Sequence, residues 1–437
     1  MSKVQTQDVF RGFLIAALCG SLMTGCTSKS SGPTGPGGGT GGTITVSGTV
    51  IGANNQPQSG VPVIIIGTTI PSVNTDASGK FTISNVTTPY NIAVVDAASK
   101  RSLVYKGLTR SDPTLVWLGL SPGVAHNASL TGTIYPSSSY PEPLTGRRSR
   151  VAFASPEAAS GTNVNGTTGT YAVGATWYGS TTTTGTVYAL QWNYDGSGIP
   201  SSYQGFGMRS GITLLDATTN PNGNDTMSAV SSATLSGTVT VASGYTLAQK
   251  SLSVVFANKG SISLLSDNSA AAVFSYTAPS ITGASMYLTA VSTKSTGTSV
   301  AFKLGLAPNA TGVALSVPAA PELSLPVNAT TGVTKSNLFS WTPVPNAVHL
   351  VLFNGPGGQP SYLVLTAAAA DSIPDMSAAG LGLPASTSYT WYVYSFGPLG
   401  STDAAAGSSG FLGALVGLPL GDGFYGFSAN RTFTTAP

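Results

Sequence analysis

Two cysteines, two histidines and very few charges are all that 437 residues contain, and each scarcity excludes something. Both cysteines, Cys19 and Cys26, lie near the N-terminus. The body that follows therefore has no disulfide, no thiol nucleophile and no thiolate metal site, and must fold on hydrophobic cores alone. Charged residues are 8% of the chain, against about 25% in an average soluble domain. The formal net charge is +3, and the densest basic group is Arg147, Arg148 and Arg150, in a Gly/Pro/Ser-rich stretch that reads as a solvated loop. Nucleic-acid binding needs a concentrated positive footprint, so no nucleic-acid partner is expected. Of the histidines, His126 falls in a linker. His349 lies between Val348 and Leu350, where strand alternation turns it away from the core. Neither stands in a cluster of metal-binding residues, and no metal or cofactor is expected. The 15 acidic residues are thinly scattered, so no carboxylate pair for acid–base chemistry is legible.

What the chain does have is glycine, serine and threonine between short Val/Ile/Tyr runs, with 54 glycines in all. This is the composition of exported all-β proteins, and no long amphipathic helical pattern interrupts it. Ahead of the body, Lys3 and Arg11 precede an apolar run from Gly12 to Met23 that is too short to cross a bilayer core of ~30 Å. Leu22-Met23-Thr24-Gly25-Cys26 then sets a small residue directly before a cysteine. Residues 27 to 43 (TSKSSGPTGPGGGTGGT) can form neither a core nor a regular element and read as a flexible tether.

The Leu22-to-Cys26 pattern resembles the lipobox of bacterial lipoproteins, with Met23 a less usual residue at its place. The resemblance implies cleavage before Cys26, lipid on its thiol and a membrane as partner. More than one acyl chain, at about 0.8 kcal/mol per buried methylene, would make the attachment stable. Thr27, rather than an acidic residue, follows the cysteine, which by the same resemblance favours the outer membrane of a bacterial envelope.

Four β modules are read after the signal (1–25) and the lipidated tether (26–43). The first, 44–122, runs through Ser47-Gly48-Thr49-Val50, a turn at Asn54-Asn55, then Gly60-Val61-Pro62-Val63. It continues through Thr75-Asp76-Ala77-Ser78-Gly79-Lys80-Phe81-Thr82-Ile83 and Tyr90 to Val95. These motifs in this order resemble the carboxypeptidase regulatory-like family. That family implies a small transthyretin-like sandwich that is an accessory module, not a catalyst, near carbohydrate-binding folds.

The second and third modules, 123–230 and 231–318, read as a diverged duplication. Leu130-Thr131-Gly132-Thr133-Ile134 matches Leu235-Ser236-Gly237-Thr238-Val239, and Val151 to Ala154 matches Val254 to Ala257. Ser210-Gly211-Ile212 matches Thr311-Gly312-Val313, 80 residues past the first leucine in one copy (130 to 210) and 76 in the other (235 to 311). In the last module, 319–437, Phe339-Ser340-Trp341 leads into alternating Val348, Leu350 and Leu352, and Leu383 stands six residues before Tyr389. This resembles a fibronectin type III domain, in which the tyrosine would tie a loop to the sandwich. Here a proline follows the leucine directly instead of two residues later.

Motifs that could carry chemistry fail on physical grounds. Gly119-Leu120-Ser121-Pro122-Gly123 spells a nucleophile elbow, but Pro122 has no backbone N–H to offer an oxyanion. Gly421 to Gly426 spells G-x-G-x-x-G without a helix or a following acidic residue, and reads as a loop before the final strand. A lysine–asparagine amide cross-link is not expected, because the first strand of module one, 44 to 51, has no lysine.

Two groups stand out as binding surfaces. Trp177 and Trp192 are candidates to stack on sugar rings, although core packing explains their strand spacing better. In the long loop Ser401 to Gly426, the run Phe411 to Leu420 offers Phe411, Leu412, Leu415 and Val416 either as a local cap or as a patch for a partner. The expectation is a non-enzymatic, membrane-anchored lipoprotein displaying a rod of β modules for adhesion, envelope assembly or surface interaction. A carbohydrate-binding lipoprotein is the alternative. An enzyme assembled from separate strands ranks last.

Overall fold

Alternation builds the strands. Along Thr170–Tyr178 the side chains of Tyr171, Val173, Ala175 and Trp177 are buried, while Thr170, Ala172, Gly174 and Thr176 between them face water. Val348–Asn354 is different: Val348 through Phe353 are all buried, as a strand with a packed layer on each face requires. The computed structural model describes residues 42–52, 56–117, 124–135, 147–165, 168–256, 260–408 and 422–437. The chain is all-β, a tandem set of β-sandwiches, as its composition implied.

The second module pairs its strands within itself. One sheet orders Ala159–Asn163, Arg147–Ala154, Thr182–Tyr194 and Pro200–Leu215, and the other Thr170–Tyr178, Ala125–Tyr135 and Thr219–Asn220. The first, third and last modules share one long sheet instead. Its third-module part runs Ser261–Asp267, Thr246–Phe256, Ala284–Lys294 and Gly297–Leu306. The last module continues it with Gly423–Ser428, Ser388–Gly397, Val348–Asn354 and Ser361–Thr366. Arg101–Leu108, Tyr90–Asp96, Pro62–Ile65 and Val73–Asn74 of the first module complete it. A smaller three-stranded sheet closes each of these sandwiches, for instance Lys80–Thr87, Thr43–Gly52 and Thr114–Trp117 in the first.

The join between first and last modules is a parallel ladder in which Arg101 to Tyr105 pair with Ser361 to Leu365. Both strands carry apolar side chains on both faces: Leu103, Val104 and Tyr105 on one, Tyr362, Leu363, Val364 and Leu365 on the other. Left unpaired, such edges would invite aggregation, and pairing them with each other removes the hazard. One apolar core accordingly spans Val63, Ile92 and Tyr105 of the first module, Leu350, Leu365 and Tyr394 of the last, and Phe302 of the third. A row of modules strung end to end does not foresee this lateral contact.

Several of the scarce charges lie at the joins. Lys106 pairs with Asp371 at 2.9 Å, and Lys100 Nζ donates to the Gly358 carbonyl at 2.7 Å. The Asp403 carboxylate accepts from the backbone N–H of Thr109 (2.9 Å) and Arg110 (3.2 Å) and from the Thr109 hydroxyl, while the Arg110 guanidinium donates to the Asp403 carbonyl at 2.8 Å. Asp403 is held there by the single helical turn Thr402–Ala405, whose N-terminus the Ser401 hydroxyl caps by accepting from Ala404 N–H. Between third and last modules, Lys303 meets Asp422 at 2.9 Å and Lys294 meets Glu322.

Arg147, Arg148 and Arg150 are not in a solvated loop. They lie on the strand Arg147–Ala154, where Arg147 bonds Asn193, Arg148 stands over the Tyr194 ring at 5.1 Å and Arg150 reaches the Ser263 carbonyl of the third module. Likewise Gly423–Ser428 is no loop: it is the strand that joins the last module to the third, pairing with Ser388–Gly397 on one side and Gly297–Leu306 on the other.

Candidate functional site

Cys26 and the side chains of Phe411, Leu412, Leu415 and Val416 lie outside the described residues, as does the Gly119-to-Gly123 motif. The two tryptophans lie within them, and neither can receive a sugar. Trp177 and Trp192 are both 0% exposed. Trp177 stands in the core of the second module and donates its indole N–H to the Ser180 carbonyl at 2.8 Å. Trp192 lies in a core that the second and third modules share, near the ring of Tyr203. A stacking platform needs an open ring face, so the sugar-stacking role is withdrawn for this pair. Strand spacing was the correct sign of core packing.

The histidines also differ from expectation. His126 is no linker residue: it opens the strand Ala125–Tyr135, is buried, and contacts a carboxylate, with Nδ1 at 2.9 Å from Asp216 Oδ2 and Nε2 at 3.2 Å from the Gly179 carbonyl. The bond from His126 comes first among the causes that hold the Asp216 carboxyl below its usual range, followed by the Asn127 N–H. His349 faces inward and is 1% exposed, because its strand is covered on both sides. Its Nε2 accepts from Val344 N–H at 3.1 Å, its Nδ1 has no hydrogen-bond partner, and burial lowers its pKa to about 4.

Sequence reasoning missed Lys250, whose side chain is 0% exposed, the deepest charge among the described residues. Its ammonium donates to the carbonyls of Ser269 (2.8 Å) and Ala271 (3.0 Å) and pairs with Asp267 at 3.1 Å, and Tyr276 O–H donates to the same carboxylate oxygen at 2.7 Å. Burial pushes the Asp267 carboxyl up. Hydrogen bonds from Tyr276, Ser269 and Lys250 outweigh this and hold it at about 2. An ionised carboxylate is a poor electrophile, so the arrangement is an ion pair that pins the Asp267-to-Ala271 turn. The alternation Lys250, Leu252, Val254, Phe256 was the available signal that this lysine points into the core.

In the last module Tyr389 ties the loop before Ser361–Thr366, its hydroxyl donating to the Pro360 carbonyl at 2.9 Å, and Tyr362 donates to the Leu381 carbonyl at 3.0 Å. Among the described residues no cluster of three or more His, Cys, Asp or Glu is placed to hold a metal, and no helix is long and apolar enough to cross a membrane.

No family model matches the chain, and no curated protein matches it. Among solved structures it is similar to the Bacillus anthracis TIE protein at 8% identity and a TM-score of 0.15, over 63% of this chain and 51% of that one, about half its length. It is also similar to two B repeat units of the collagen binding protein of Staphylococcus aureus (10% identity, TM-score 0.13, 74% and 86% covered). A third is the major pilin subunit of Bacillus cereus (9% identity, TM-score 0.14, 63% and 99% covered). At such TM-scores the chains do not superpose as wholes, and nothing about function follows from them.

Proposed function

We propose that this chain is a non-enzymatic lipoprotein of a bacterial envelope, held on the outer membrane by lipid on Cys26, which displays its fused β modules for adhesion or envelope assembly. The observation that carries the reading is the Leu22-to-Cys26 pattern followed by a spacer that runs directly into the first strand at Thr43. The first module is in turn joined by sheet and by Asp403 to the last, so a lipid at the N-terminus would hold a body whose first and last modules are bonded together. The motif order of the first module supports a carboxypeptidase regulatory-like sandwich. Trp341 and Tyr389 support a fibronectin type III-like arrangement for the last. Cys26→Ser is expected to release the protein from membranes and to remove acyl mass from its N-terminal peptide. Wild-type protein that is soluble, with an unmodified Cys26, would refute the anchor.

As the partner-contacting element we propose the apolar stretch that includes Phe411, Leu412, Leu415 and Val416, because apolar surface in water is unfavourable by about 25 cal/mol per Å² and so seeks a cover. Changing these four to serine should reduce surface binding or self-association while leaving the melting midpoint almost unchanged. A steep fall in the midpoint would instead make the stretch a structural cap.

A further inference from the structure

In each of the four modules an early strand runs parallel to the last one. In the first, Thr49 to Gly52 pair in parallel with Thr114 to Trp117, and the ladder extends backwards through Ser47 N–H to the Ser111 carbonyl and Thr49 N–H to the Pro113 carbonyl. In the second, Ala125–Tyr135 pairs in parallel with Thr219–Asn220 and then with Asp225–Thr226. In the third, Gly237 to Val241 pair with Val313 to Val317. In the last, Thr330–Val333 pairs with Arg431–Thr435.

Parallel pairing has a mechanical consequence. Tension along the chain pulls the start of the early strand one way and the end of the last strand the other. Parallel neighbours then slide along their own axis, and every bond between them is loaded together. Antiparallel neighbours pulled from one shared end would open one bond at a time. Each bond is modest, about 1 kcal/mol net, so the sharing of load rather than the strength of any bond sets the resistance.

A repeated residue pattern builds this arrangement in three modules. Gly48, Gly132 and Gly237 are each flanked by hydroxyl residues: Ser47 and Thr49, Thr131 and Thr133, Ser236 and Thr238. Opposite each glycine on the antiparallel side stands an aromatic residue, Phe81, Tyr171 and Phe274 respectively. On the other side the incoming last segment comes so close that a Cβ would have no room. It would stand 2.5 Å from Pro113 O at Gly48, 2.4 Å from the Gly223 carbonyl carbon at Gly132, and 2.0 Å from Val313 O at Gly237. Glycine at these positions admits the last segment and the ring together, for the same Cβ would also stand 2.5 Å from Phe81 Cζ at Gly48 and 2.9 Å from Phe274 Cζ at Gly237.

We propose that the chain is a load-bearing tether, each module being a shear clamp closed by its early and last strands, with Gly48, Gly132 and Gly237 as clamp positions. Use of the clamps in tension rests on the N-terminal attachment proposed above, whereas the clamps themselves do not. End-to-end tension would meet the ladder between Arg101–Leu108 and Ser361–Thr366 and the one between Gly297–Leu306 and Gly423–Ser428, and release of both would place the four clamps in series.

Single-molecule pulling on the full chain, with Cys19 and Cys26 changed to serine, separates the mechanical claim from the anchor. Handles at Ser231→Cys and Ser316→Cys, both exposed, load the third module's parallel pair in shear. Handles at Thr246→Cys and Thr293→Cys, also exposed, peel a directly paired antiparallel couple. The shear direction should need a several-fold higher force at the same loading rate. Gly237→Ala should lower the shear force and leave the peeling force as it was. Equal forces in both directions overturn the proposal, and so does an equal fall in both forces in the alanine variant. If that variant does not fold, the comparison of directions in its parent still decides.

Discussion

Replacing Trp192 with alanine is expected to destabilise the chain by about 3–5 kcal/mol, the range for removing a fully buried tryptophan from a packed core. The indole is 0% exposed and belongs to a cluster that holds Leu190 and Tyr203 of the second module with Leu252, Val254 and Phe256 of the third. Next to it Tyr188 stacks on Phe256, ring centroids 4.2 Å apart, across the same boundary. Truncation should therefore loosen two modules at once, seen as a lower urea midpoint for both and as faster amide exchange in Thr246–Phe256 as well as Thr182–Tyr194. Unchanged stability together with a loss of polysaccharide binding would restore the discarded sugar-stacking role. A loss confined to the second module would show that the shared core is not energetically shared.

Acidification from pH 6.5 to 4 is expected to remove about 3 kcal/mol of stability through His349 alone, since each unit of pKa difference is worth about 1.4 kcal/mol. The sign follows from which state takes the proton. The ordinary imidazole value is 6.5, and burial lowers it to about 4 in the folded chain, so the unfolded chain protonates first as the pH falls. The stabilisation is complete above 6.5, declines below it and is lost near 4. Asp267 and Asp375, each held at about 2, act in the same direction but lower down, because their contribution fades only as the pH falls from 3.8 towards 2. His349→Gln, whose side-chain oxygen can still accept from Val344 N–H, should flatten the dependence between 6.5 and 4. A variant as acid-sensitive as its parent would mean that His349 is charged or hydrated in the folded protein.

Much of the local structure was legible. The turn Asp76-Ala77-Ser78-Gly79 is one case: the Asp76 carboxylate accepts from Ser78 and Lys80 N–H, and Gly79 takes a φ of +70°. The alternation of Leu252, Val254 and Phe256 marks one buried face, and the same period carries Lys250 into the core beside them. His349 is different. A period of two assigns residues to faces, but it cannot tell whether the second face meets water or another layer. For His126 the decisive partner, Asp216, lies 90 residues away in the sequence, beyond any local pattern. The same holds for Asp403 and the Thr109–Arg110 turn, 294 and 293 residues apart.

By itself the sequence determined that this chain is all-β, where a turn such as Asp76 to Gly79 falls, which strands have an apolar face, and that cysteine is too scarce for thiol devices and positive charge for a nucleic-acid footprint. Only the tertiary structure decided which edges meet: Arg101–Leu108 with Ser361–Thr366, Gly297–Leu306 with Gly423–Ser428, and the parallel closing pair of each module. The reason lies in the bond itself. A ladder is made by backbone N–H and C=O groups that nearly every residue carries alike, so a strand's edge bears almost no mark of its partner. Partners are chosen by the whole arrangement, through apolar faces that must be covered together and through the few places, such as Gly48, Gly132 and Gly237, where only a missing side chain lets two strands close.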